Sequence, residues 1–112
     1  ASDVYKRQHT GMPIPLGGIA VKRNLDKALQ LKIQKLIRKS VEFAFRNPKE
    51  SKTFVTDNAQ EMSPDVVQKH IDLYVNSYSQ SLGEKGKSAI ENMYKFSVEN
   101  NLILPSDKSL FV

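Results

Sequence analysis

One short stretch of this sequence reads as a β-strand, and nothing after it does. Thr10 to Val21 runs TGMPIPLGGIAV. Pro13 and Pro15 fix φ and push their predecessors towards extended backbone. Gly17 and Gly18 permit a bend or a close backbone approach. Ile19 to Val21 then reads as a short buried strand. A lone strand cannot satisfy its own backbone N–H and C=O groups. Its partners have to come from elsewhere, so the pattern predicts a piece of a larger fold.

The rest of the chain reads as about four helices. The first is predicted from about Asp26 to Arg46, with Asn24 or Asp26 as cap. Leu29, Ile33, Leu36, Ile37, Ser40, Val41 and Ala44 recur at three- and four-residue spacing. Phe43 and Phe45 widen that face, and Lys32, Lys35 and Lys39 lie opposite. Asn47, Pro48 and Glu50 resemble a capping box that starts the second helix, whose face holds Ser51, Phe54, Val55, Ala59 and Met62. Ser63 and Pro64 repeat the punctuation. The third helix carries Val66, Val67, His70, Ile71, Tyr74 and Val75 and gives way to a polar loop, Asn76 to Ser81. Leu82 and Gly83 open the fourth, with Ala89, Ile90, Met93, Phe96 and Ser97 inward. Asn100 and Asn101 read as left-handed terminators. The tail from Leu102 ends in Leu110, Phe111 and Val112, and three terminal apolar residues are expected to dock.

The first eight residues, ASDVYKRQ, have a separate reading. The string GCG TCA GAT GTG TAT AAG AGA CAG encodes them, and it looks like a transposon adapter from sequencing-library preparation. Ala1 to Gln8 are therefore expected to be a translated scar outside the fold. Residues 9–112 would then be the native part.

Composition removes several function classes. There is no cysteine, hence no disulfide framework, thiolate zinc site or cysteine nucleophile. No apolar run approaches the roughly 20 residues of a membrane helix, and no signal-peptide core opens the chain. A cytoplasmic location is expected. The formal charge is +5, of which the octapeptide carries +1. Lys22, Arg23, Lys27, Lys32, Lys35, Arg38, Lys39 and Arg46 crowd the first half. They have no interleaved aromatics on which bases could stack, so they read as a solvated helix face.

Candidate chemistry is sparse. Metal binding needs converging ligands, and His9 and His70 are the only histidines. His70, with Val66 and Tyr74 four residues away, reads as a packing residue at the edge of an apolar face. Tyr74 and Tyr78 read as core. The two glycines at 17 and 18 lack the GxxxxGK[ST] and GxGxxG contexts of phosphate loops. No GxSxG elbow or Ser-His-Asp set is present.

The segments TGMPIPLGGIAVKR (10–23), RKSVEFAF (38–45), NAQEMSPDVVQKHIDLYVNSYSQSLGEKG (58–86) and PSDKSLFV (105–112) occur in one order. Together they resemble the C-terminal region of the 1,4-dihydroxy-6-naphthoate synthases of the futalosine route to menaquinone. Tyr78, where the family has phenylalanine, is a mild departure. The resemblance implies a two-lobed α/β parent fold like the type II periplasmic binding proteins. It also implies a carbon–carbon lyase acting on cyclic dehypoxanthinyl futalosine without metal or organic cofactor. Its general base would be a histidine upstream of this region, matched by neither His9 nor His70. Residues 13–22 would be the hinge strand returning to the first lobe, and the helices would cover that lobe. The backbone of Pro15, Leu16, Gly17 and Gly18 is the one candidate substrate contact. A solute-binding protein of an ABC transporter, with a related fold, is the alternative.

The solvated reading of the basic face has a direct check. The chain should not be held on immobilised duplex DNA at physiological salt. Retention that falls steeply as salt rises would show counterion release from phosphates and overturn the reading.

Overall fold

Asp26 starts the longest helix as its spacing predicts. Its Oδ2 accepts the Ala28 N–H at 3.0 Å, which satisfies one of the donors a helix N-terminus leaves open. In this computed structural model, which describes residues 11–60 and 63–112, α1 spans Lys27–Arg46. The Gln30 amide reaches back and donates to the carbonyls of Lys22, Arg23 and Leu25 at 3.1–3.3 Å. It ties the preceding turn to the first helical turn. Along the helix, Glu42 accepts from Arg38 at 2.9 Å and pairs with Arg46 at 3.6 Å.

α1 ends at Asn47, and here the expected capping box fails. Asn47 turns back instead: its backbone N–H and its Nδ2 both donate to the Phe43 carbonyl, at 2.9 and 3.0 Å. A side chain that closes one helix is not available to open the next. Residues 48–51 form turns, and α2 is the short Lys52–Asn58, without a side-chain cap from Ser51. Met62 lies outside the described residues. α3, Pro64–Tyr74, begins at Ser63 with Pro64 in its first turn and Asp65 beside the positive end of the helix dipole.

The loop expected at 76–81 contains a helical turn, α4, Ser77–Gln80. Asn76 accepts the Tyr78 N–H at 3.0 Å, and Ser79 Oγ accepts the Asn76 N–H at 3.1 Å. This reciprocal box uses Ser where Glu or Gln is usual, which hides it from the pattern. α4 packs on α1.

α5 spans Gly83–Glu99. Gly83 takes φ +61, a conformation in which a side chain would be strained. The helix closes as its two asparagines predict. Asn101 is left-handed, with φ +56. The Asn101 N–H donates to Val98 and the Leu102 N–H to Ser97 at 3.0 and 2.8 Å, the bond pair of a Schellman ending. The tail beyond folds against α5: the Tyr94 hydroxyl accepts the Ser106 N–H at 2.6 Å and donates to the Ser106 carbonyl at 3.2 Å. Lys87 Nζ stands 5.8 Å over the Phe111 ring.

The chain divides into two units, Val21–Ser81 on one hand and Leu82–Val112 with residues 11–20 on the other. The described residues are thus mostly helical, and no strand is among them. The strand expected over residues 13–22 does not form. Its physical reason is the one the sequence contains: a strand exists only with a partner, and none is present among the described residues.

Burial shows the same shortage. Among the described residues Ala89, 6% exposed, is the one buried hydrophobe. Leu36, Phe43, Phe54, Met93 and Phe96 all point apolar surface outward. Tyr74 and Tyr78, expected in a core, are exposed as well. Helices as short as α2, α3 and α4 are marginal in water without tertiary burial, because isolated helices need about 12–15 residues to persist.

The isolated 112-residue chain should therefore behave as a collapsed, loosely packed or self-associating species, with helical far-ultraviolet dichroism, dye-binding apolar surface and no sharp transition. A cooperative calorimetric melt of monomeric protein would contradict this.

Candidate functional site

The segment that the sequence offers as a cleft wall leaves its anchor quickly. Met12 Sδ accepts from Asn92 Nδ2 of α5 at 3.0 Å, and Pro13, Ile14 and Pro15 are half-buried. From Leu16 to Ala20 every residue is exposed. No hydrogen bond within the described residues engages the backbone over Leu16–Ala20. Its donors and acceptors are open to solvent, a strand partner or a ligand.

Gly17 and Gly18 are candidates because glycine allows close approach. In this structure a Cβ added at either would meet nothing within 4 Å, and neither has positive φ. Nothing among the described residues requires glycine there. Pro15 is thus half-buried, and Leu16, Gly17 and Gly18 continue it as an exposed run.

His70 is exposed rather than packed at a boundary. It stacks on Tyr74 with ring centroids 6.2 Å apart, a contact along one helix face. His9 lies outside the described residues. Among the described residues no three His, Cys, Asp or Glu side chains converge as metal ligands.

Two shallow depressions stand out among the described residues. One, about 280 Å³, is lined by Lys39, Glu42, Phe43, Arg46 and Asn47 at the end of α1. The other, about 370 Å³, is lined by Val98, Asn101, Leu102, Ile103, Leu104 and Pro105. Helical spacing does not point to the second, although the apolar run after a left-handed Asn101 is its signal. It has no ionisable side chain, so it offers apolar contact and no acid–base chemistry.

With no assembled chemistry in the described residues, relatives are informative. The sequence profile of a family described as "Menaquinone biosynthesis" matches residues 4–99. The chain belongs to that family. A "1,4-dihydroxy-6-naphtoate synthase" of Thermus thermophilus is 34% identical over 105 residues, 94% of this chain and 39% of that protein. A protein of the same name from Streptomyces coelicolor is 38% identical over 94 residues, 84% of this chain and 33% of the other. The chain thus spans well under half the length of the menaquinone-biosynthesis relatives it matches. The RKSVEFAF segment of the resemblance lies in the second half of α1. NAQEM through LGEKG runs from the end of α2 into α5, with Glu61 and Met62 outside the described residues.

The open space around the two glycines predicts tolerance. Gly17→Ala and Gly18→Ala in this chain should leave helical content unchanged and shift any unfolding free energy by less than about 0.5 kcal/mol, as surface substitutions do. A larger loss would mean that this chain itself packs against them.

Proposed function

We propose that this chain is the C-terminal part of a 1,4-dihydroxy-6-naphthoate synthase, a cytoplasmic carbon–carbon lyase that converts cyclic dehypoxanthinyl futalosine to 1,4-dihydroxy-6-naphthoate. The observation that carries the reading is the likeness to two relatives of that name, spread over 94% and 84% of the chain. The transport alternative has no support among those relatives.

In this reading the parent is two-lobed. Residues 13–22 pair with strands of the missing portion, which supplies the hydrogen bonds that Leu16 to Ala20 lack here. α1 to α5 clothe one lobe with their apolar faces, and the catalytic base stands outside this chain. The chain alone is then inactive. Pro15 to Gly18 form part of the cleft wall, where glycine lets substrate come close to the backbone. The exposed backbone of Leu16 to Gly18, without a hydrogen bond among the described residues, supports the placement.

The test is turnover by the full-length protein. It should convert cyclic dehypoxanthinyl futalosine, and residues 9–112 alone should not. Gly18→Ala in the full-length enzyme should lower kcat/KM about tenfold, a loss of about 1.4 kcal/mol in transition-state stabilisation. A folded full-length protein without turnover would sink the assignment. Unchanged kcat/KM in Gly18→Ala would remove the glycine run from the cleft.

A further inference from the structure

The apolar side of α1 is not uniform. Ile33, Ile37, Val41 and Ala44 are half-buried. Leu29, Leu36 and Phe43 remain 42%, 56% and 56% exposed. These three recur every seven residues. At about 3.6 residues per turn that step is close to two whole turns, so they form one line along the helix.

The line has a charged edge. Lys32 and Lys39, which the spacing reads as lying opposite the apolar face, stand three residues beyond Leu29 and Leu36 and so flank this line instead. No ion pair engages either lysine among the described residues. At its far end the line runs into the depression lined by Lys39, Glu42, Phe43, Arg46 and Asn47, where Glu42 is engaged by Arg38 and Arg46.

Resting on the synthase reading, we propose that this line is the seat of the N-terminal portion of the longer chain. The surface that covers it carries an apolar ridge bordered by carboxylates facing Lys32 and Lys39. The relatives exceed this chain's length more than twofold, so chain to cover it is at hand. A second copy's α1 is a poor occupant. Its one carboxylate, Glu42, is already held by Arg38 and Arg46, which leaves the lysine edge unmatched.

Leu31 makes the proposal specific. It is 47% exposed, nearly as open as Leu36 at 56%, but it lies on the other side of the helix among Lys27, Gln34 and Lys35 at three- and four-residue spacing. It stays in solvent in the full-length protein. Exposure here does not distinguish the two leucines; the docking line does.

The experiment is maleimide labelling of Leu36→Cys and Leu31→Cys in the full-length protein, read by mass on the peptide that carries each position. Both variants should retain synthase turnover. Labelling at position 36 should run at least about tenfold slower than at 31, since a covered thiol reacts only through local opening. Leu29→Cys gives the same reading if Leu36→Cys does not fold. Equal rates in folded, active full-length protein would overturn the docking line. So would protection at 36 that appears only as protein concentration rises, which would make a second copy the occupant. Protection at 36 without synthase turnover would keep the docking line and remove the enzyme assignment.

Discussion

Burial of apolar side chains is the constraint on which everything else here depends. Fully covering a Leu or Phe is worth about 1.5–3 kcal/mol, whereas ordering the backbone costs about 1–2 kcal/mol per residue. A chain that buries Ala89 and leaves Leu36, Phe43, Phe54, Met93 and Phe96 in water does not offset that cost by itself. What the described residues display instead is local order. Asp26, Asn47, Asn76 and Asn101 close helix ends within a few residues of themselves. Ion pairs at four-residue spacing, Arg38–Glu42, Arg46–Glu42 and Lys95–Glu99, add surface contacts of small worth.

That division explains which features are legible in the sequence. The start of α1 at Asp26, the start of α3 at Pro64 and the left-handed end of α5 at Asn101 are all readable. Each depends on one side chain and on backbone groups within about four residues. The errors fall where local rules compete. Asn47 suits either the end of α1 or the start of the next helix, and the nearby Phe43 carbonyl takes both of its donors. The α4 box at Asn76 escapes the pattern because Ser79 takes the role usually given to Glu or Gln.

Burial is the least legible property. Helical spacing identifies a face that wants covering, but not what covers it. That spacing predicts a core position for Tyr74 and Tyr78, and both stand in solvent. His70 shares their surroundings and stacks on Tyr74 rather than packing under neighbours. The tail is the converse case. Its terminal apolar run calls for docking, and the clasp of Tyr94 on Ser106 with Lys87 over Phe111 supplies part of it.

The candidate site is subject to the same limit. A cleft wall is defined by what stands across from it, and among the described residues no hydrogen-bond partner meets Leu16 to Ala20. A Cβ at Gly17 or Gly18 would meet nothing within 4 Å, and neither has positive φ, although glycine is costly in an ordered segment through the entropy it gives the unfolded chain. A costly residue with no local use is best explained by a non-local one. In this molecule the same holds for the Leu29–Leu36–Phe43 line and for the unpaired backbone of Leu16 to Ala20. Each is an unfavourable local choice that becomes favourable once a second surface is supplied. The surfaces left open are thus the ones that local rules do not specify, because the helices themselves need only their own caps.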